Sequence, residues 1–81
     1  MIEILFFAQV REIIGTSALQ LPAQFPTVDS LRNALTARGD RWALALESGK
    51  LLVAVNQTLT DMAHPLKAGD EVAFFPPVTG G

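Results

Sequence analysis

The sequence predicts an α+β fold, with a mixed sheet packed on one main helix. Three observations predict it. Short runs of alternating apolar residues stand near both ends of the chain and in its middle. One stretch after Pro26 repeats apolar residues at helical spacing. The composition, 49% hydrophobic against 17% charged, supplies enough apolar side chains for a packed core, and 81 residues leave room for one domain.

Residues 2–8 read as a strand. Ile2, Ile4 and Phe6 fall on one face; Glu3, Leu5 and Phe7 fall on the other. Residues 9–14 read as a short helix stopped by Gly15, a good C-terminal cap. Residues 18–21 alternate, with Leu19 and Leu21 on one face, and Pro22 ends the run. This second strand is expected to form a hairpin with the first.

Pro26-Thr27 opens the main helix. Thr27 suits the N-cap, and Asp29 lies in the first turn, where the helix dipole favours an anion. Val28, Leu31 and Leu35 recur at helical spacing. Arg38 is placed in the last turn, with Gly39 closing it. Asp40 is expected to cap a second short helical piece, whose Trp42, Leu44 and Leu46 read as core or half-buried support. Ser48-Gly49 reads as a turn.

Residues 51–55 form a strong strand, with Leu51, Val53 and Val55 sharing a face. Asn56-Gln57 reads as a tight turn into a brief strand around Thr58-Leu59. Residues 60–70 read as loop. Residues 71–75 are the last strand, with Val72 and Phe74 facing one way and Glu71, Ala73 and Phe75 the other. This order of elements resembles the β-grasp arrangement of ubiquitin-like proteins, and a domain of that kind is expected over residues 1–75. Residues 76–81 are expected to form an extended tail.

Composition excludes several function classes. The chain has no cysteine, which removes disulfides, thiolate metal sites and a thiol nucleophile together, and no metal site is expected. The absence of disulfides suits a reducing compartment. Met1-Ile2-Glu3 offers no basic leader, and no apolar run approaches the length of a membrane span. A cytoplasmic protein with no membrane partner is expected. Net charge is −2 and the six basic residues are scattered singly, so no nucleic-acid partner is expected. One histidine, no tyrosine and no Gly-rich phosphate loop leave no credible triad or nucleotide site.

The chemistry concentrates at Pro76-Pro77-Val78-Thr79-Gly80-Gly81. The prolines lack N–H donors, so a strand ladder stops there and the chain leaves in a stiff direction. Six extended residues reach roughly 20 Å. Gly80 and Gly81 have no Cβ, which lets a backbone enter a channel too narrow for side chains.

The whole chain resembles the sulfur carriers of the molybdopterin synthase small-subunit family. The residues that carry the resemblance are Leu5-Phe6-Phe7-Ala8-Gln9-Val10-Arg11-Glu12, Asp40-Arg41-Trp42-Ala43-Leu44-Ala45-Leu46-Glu47, Ala54-Val55-Asn56-Gln57-Thr58 and the run from Gly69 to Gly81. A Gly-Gly end alone is shared by all ubiquitin-like carriers. The Phe-Phe-Ala-Gln start combined with the Phe-Phe-Pro-Pro-Val-Thr-Gly-Gly end is far more specific. The resemblance implies that a separate ubiquitin-activating-type enzyme, using ATP and Mg, converts the Gly81 carboxylate to an acyl-adenylate. A sulfur donor then displaces AMP, leaving a thiocarboxylate, 1-thioglycine, at Gly81. The large synthase subunit presents the pterin precursor, and two transfers build the dithiolene that later holds molybdenum. On this reading the chain binds no cofactor, is not catalytic on its own, and works in a heterotetramer. A thiazole-pathway carrier, a ubiquitin-related modifier and a purely binding ubiquitin-like module are the competing readings.

Strand parity locates a candidate docking surface. If the first and last strands run parallel and adjacent, Phe7 and Phe75 meet at the root of the tail, joined by Leu59. The alternative is that the protein's own loops cover them. Arg11 offers a rim ion pair, or is an ordinary solvated charge. Thr79 and Gly80 are expected to be gripped by partners along with the end group. His64 reads as a loop residue; Glu3, Glu71 and Asp70 read as a solvated face and a turn.

Overall fold

The computed structural model describes residues 1–47 and 51–77. Its elements are β1 (Ile2–Phe6), α1 (Ala8–Ile14), β2 (Ala18–Leu21), α2 (Val28–Thr36), α3 (Asp40–Leu46), β3 (Leu52–Val55), β4 (Thr58–Thr60) and β5 (Glu71–Phe75). The strands form one mixed sheet in the order β2-β1-β5-β3-β4. β1 and β5 pair in parallel at its centre, and the other neighbours are antiparallel.

The alternation along β1 and β5 decides which face is covered. Ile2, Ile4 and Phe6 are buried, as are Val72 and Phe74, with Val53 and Val55 beside them on β3. They meet Val28, Leu31 and Leu35 of α2 and Ala45 and Leu46 of α3 in one core. Each fully buried side chain of this size contributes roughly 1.5–3 kcal/mol. The Phe6 ring stacks on Phe74 at 6.3 Å and meets the edge of Trp42 at 5.6 Å and 82°. Among the described residues, the opposite face of the sheet carries no helix.

The helix ends follow local chemistry. Thr27 caps α2 through a capping box with Ser30, each side chain accepting the other's backbone N–H, at 3.2 and 3.0 Å. Gly15 closes α1 with φ 82, donating its N–H to the Arg11 carbonyl at 2.7 Å. Asn56 and Gln57 both take positive φ, 52 and 68, and join β3 to β4 as a two-residue turn.

Four local expectations are corrected. α2 ends at Thr36, with Ala37 as its C-cap, so neither Arg38 nor Gly39 closes it. Arg38 instead lies over the Trp42 ring at 4.7 Å. Gly39, with φ 156, is the N-cap of α3, and Asp40 stands in the first turn rather than capping it. Leu44 does not join Trp42 and Leu46. It is 71% exposed, because residues two apart on a helix point to different sides. Asp70 does close a turn, its N–H donating to the Lys67 carbonyl at 3.2 Å, but its side chain is buried rather than solvated. The turn expected at Ser48-Gly49 lies outside the described residues.

Candidate docking site at the tail root

β1 and β5 set the first and last strands of the chain side by side, running parallel. In their parallel register Ile4 faces Val72, Leu5 faces Ala73 and Phe6 faces Phe74. The ladder runs one step further: the Phe7 N–H donates to the Phe74 carbonyl at 3.1 Å. Phe7 keeps extended backbone, φ −121 and ψ 153. It therefore continues the strand's alternation, onto the helix-free face with Glu3 and Leu5. Ala8 then turns the chain off the sheet with φ 52, a left-handed conformation uncommon for a residue with a Cβ. No signal in the sequence marks Ala8 for this role.

The helix-free face reads in rows. Nearest the tail, Phe7 and Phe75 are neighbours, and Phe75 is registered with Leu52 on its other side. Below them runs Ala18, Leu5, Ala73, Ala54 and Leu59, one residue from each strand. The small side chains of Ala73 and Ala54 stand between Leu5 and Leu59 in this row. The third row is polar: Gln20, Glu3 and Glu71.

Phe7 is 45% exposed and Leu59 is 64% exposed. Phe75, Leu5 and Leu52 are half-buried. Leu59 shares the face but lies on the edge strand β4, one row below the phenylalanines. Arg11 is exposed, and among the described residues the ion pair present is Arg32 with Asp29, at 2.8 Å, elsewhere in the molecule. Leu5 and Leu52 belong to this surface and were legible from parity alone, since each alternates with a core residue. Pro76, half-buried, and Pro77, exposed, begin the tail beside this patch. Thr79, Gly80 and Gly81 lie outside the described residues.

The far end of β5 is held by a polar clasp. Asp70 accepts the Asn56 amide at 2.9 Å and the Lys67 N–H at 2.9 Å. Asn56 in turn accepts the Glu71 N–H through its side-chain oxygen at 3.0 Å and donates its own N–H to the Glu71 carbonyl at 2.8 Å. The Asn56 amide, and next the Lys67 N–H, hold the Asp70 carboxyl below the usual range against the opposing effect of burial. This clasp ties the β3–β4 turn to the start of β5 and so supports the strand that leads into the tail. His64 sits in the loop, its Nδ1 3.2 Å from the Thr60 hydroxyl.

Among the described residues no group of three or more histidine, aspartate or glutamate side chains could hold a metal ion. No described helix is long and apolar enough to cross a membrane.

A five-stranded mixed sheet with parallel central strands from the two chain ends, folded over one side of helices, places this chain among the ubiquitin-like β-grasp proteins. The chain belongs to the ThiS family, whose model matches residues 4–81, and within it to the molybdopterin synthase sulfur carrier subunits. It is 68% identical to the molybdopterin synthase sulfur carrier subunit of Escherichia coli, over 81 residues and the full length of both chains. It is 59% identical to that of Haemophilus influenzae, again over the full length of both. Its fold matches one chain in the complex of subunits 1 and 2 of molybdopterin-converting factor from Helicobacter pylori with a TM-score of 0.70 and 28% identity, covering 99% of this chain and 97% of that chain.

Proposed function

We propose that this chain is the sulfur carrier of a molybdopterin synthase and that the Gly81 carboxylate is its working group. The reading is supported by full-length identity to two curated carriers and by the parallel β1–β5 pair, which sets an apolar face at the root of the tail. A free carboxylate is a poor acyl donor. A partner enzyme of the ubiquitin-activating type joins it to AMP, using ATP and Mg and releasing pyrophosphate. A sulfur donor attacks the acyl carbon and AMP leaves. Where that donor is a persulfide, a second thiol supplies the two electrons that cleave the resulting acyl disulfide, leaving the thiocarboxylate on the carrier and a disulfide on the donor side. The nucleophilic sulfur attacks the pterin precursor on the large subunit, displacing an oxygen leaving group, and water cleaves the C–S bond of the resulting thioester, which leaves the sulfur on the precursor and the carboxylate at Gly81.

In this scheme the domain's own residues position rather than catalyse. Phe7, Phe75 and Leu59 dock the partner, and Arg11 offers a rim charge. Pro76 and Pro77 hold the tail off the body. Thr79 and Gly80 are gripped inside the partner, where an absent Cβ lets the backbone through. The large synthase subunit and the adenylating enzyme use the apolar face in turn.

Adding a single residue after Gly81 tests this reading. The extended protein is expected to bind the large subunit but to accept no sulfur. Sulfur transfer at the ordinary rate by the extended protein would overturn it.

A further inference from the structure

A second apolar surface meets the tail from the helix side. Where α1 and α3 lie together they leave an open groove of about 360 Å³, lined by Val10, Ile13, Leu44, Leu51, Pro76 and Pro77. Its floor belongs to the core: Val10 is 3% and Leu51 8% exposed. Its lip is Leu44, 71% exposed, the most exposed large apolar side chain among the described residues. One wall is the start of the tail itself.

Chain length says what can cover this groove. Four residues follow Pro77, and four extended residues span at most about 14 Å. A protein that acts on Gly81 therefore brings its surface close to Pro77. A channel that surrounds the tail has two sides. One side faces Phe7 and Phe75 on the sheet. The other faces the groove.

We infer that the groove between α1 and α3 receives an apolar side chain from the large subunit that takes up the tail, with Leu44 as the contact at its lip. The domain is then held on both sides of the tail root, and the direction of the tail is set by two contacts rather than one. This rests on the carrier reading, because it takes as given that a partner accommodates Gly81.

Two measurements with the large subunit of the same organism's synthase test it. Leu44→Gln keeps a good helix former on an exposed position, so thermal stability is expected to stay within a few degrees of the unaltered protein. Its Kd for the large subunit is expected to rise about tenfold. Phe7→Ala, measured in parallel, reports on the sheet face. Weakening by Phe7→Ala with none by Leu44→Gln overturns the groove inference and leaves the carrier reading standing. No weakening by Phe7→Ala, and none on removal of residues 78–81, overturns the carrier docking on which it rests. The second measurement uses the unaltered protein with labelled leucine methyl groups. A soluble paramagnetic agent is expected to broaden the Leu44 signals in the free protein and to lose that effect in the complex. Equal broadening in both states overturns the inference whatever the variants do.

Discussion

Phe7 and Phe75 each stand one residue past the last registered pair, Phe6 and Phe74, of two parallel strands, and the Phe7 N–H donates to the Phe74 carbonyl at 3.1 Å. One residue earlier in each strand, Phe6 and Phe74 are fully buried. The same dipeptide thus spends one ring on the core and one on the surface, twice, and both surface rings lie where the tail departs.

That division separates docking from folding. Phe7→Ala removes a side chain that is 45% exposed, so its stability cost is expected to stay below about 1.5 kcal/mol. Loss at a binding hot spot is about 2 kcal/mol or more, roughly thirtyfold in Kd. Phe75→Ala is expected to show the same order of binding loss with a larger stability cost, because Phe75 is half-buried. Titration calorimetry with the large subunit, beside thermal melts, checks both. Equal loss of stability and binding in Phe7→Ala would make it a folding residue.

Asp70 predicts an acid weakness. Its carboxyl is held below the ordinary value of 3.8 by the Asn56 amide and the Lys67 N–H. A group whose folded pKa is depressed contributes stability above its unfolded pKa, and loses it as pH falls through the folded value. Asp70→Ala, which also leaves donors unpaired, is expected to cost about 1–3 kcal/mol near neutrality. The stability gap between the unaltered protein and Asp70→Ala is expected to narrow below about pH 4. Urea titrations across that range check it; a gap that stays constant would show that the carboxylate's charge is not what holds the clasp.

The turn at Ala8 predicts an unusual order of substitutions. Left-handed backbone costs an L-residue about 1–2 kcal/mol, against roughly 0.5–1 kcal/mol for the extra freedom glycine loses on folding. Ala8→Gly is therefore expected to melt at or slightly above the original temperature. Ala8→Val, β-branched at φ 52, is expected to melt at least about 4 °C lower. Equal melting of the valine variant would contradict the left-handed turn, and with it the reason the chain leaves the sheet directly after Phe7.

Much of the fold is legible in the sequence because β1 and β5 alternate cleanly and α2 carries a capping residue before a helical repeat. The mixed sheet, the adjacent end strands and the Asn56-Gln57 turn follow from that local chemistry. Parity also points Leu5 to the phenylalanine face. Other features come from contacts distant in sequence. The burial of Asp70 depends on Asn56, 14 residues away, so a local reading takes it for a solvated turn residue. The groove is made of α1, α3 and the tail together, and Leu44 looks like a core residue until the helix has a direction. The strain at Ala8 carries no residue-type signal at all, since asparagine or glycine would have announced it and alanine does not.

The tail chemistry comes down to a single atom at Gly81. The protein is to be isolated from cells making molybdenum cofactor, and its intact mass recorded with fragmentation of the C-terminal peptide. A fraction heavier by the replacement of one oxygen with sulfur, located at Gly81 and lost on incubation with large subunit and pterin precursor, is the expected result. A single unmodified mass, unchanged when the adenylating enzyme, ATP, Mg and a sulfur donor are supplied, would contradict the carrier role.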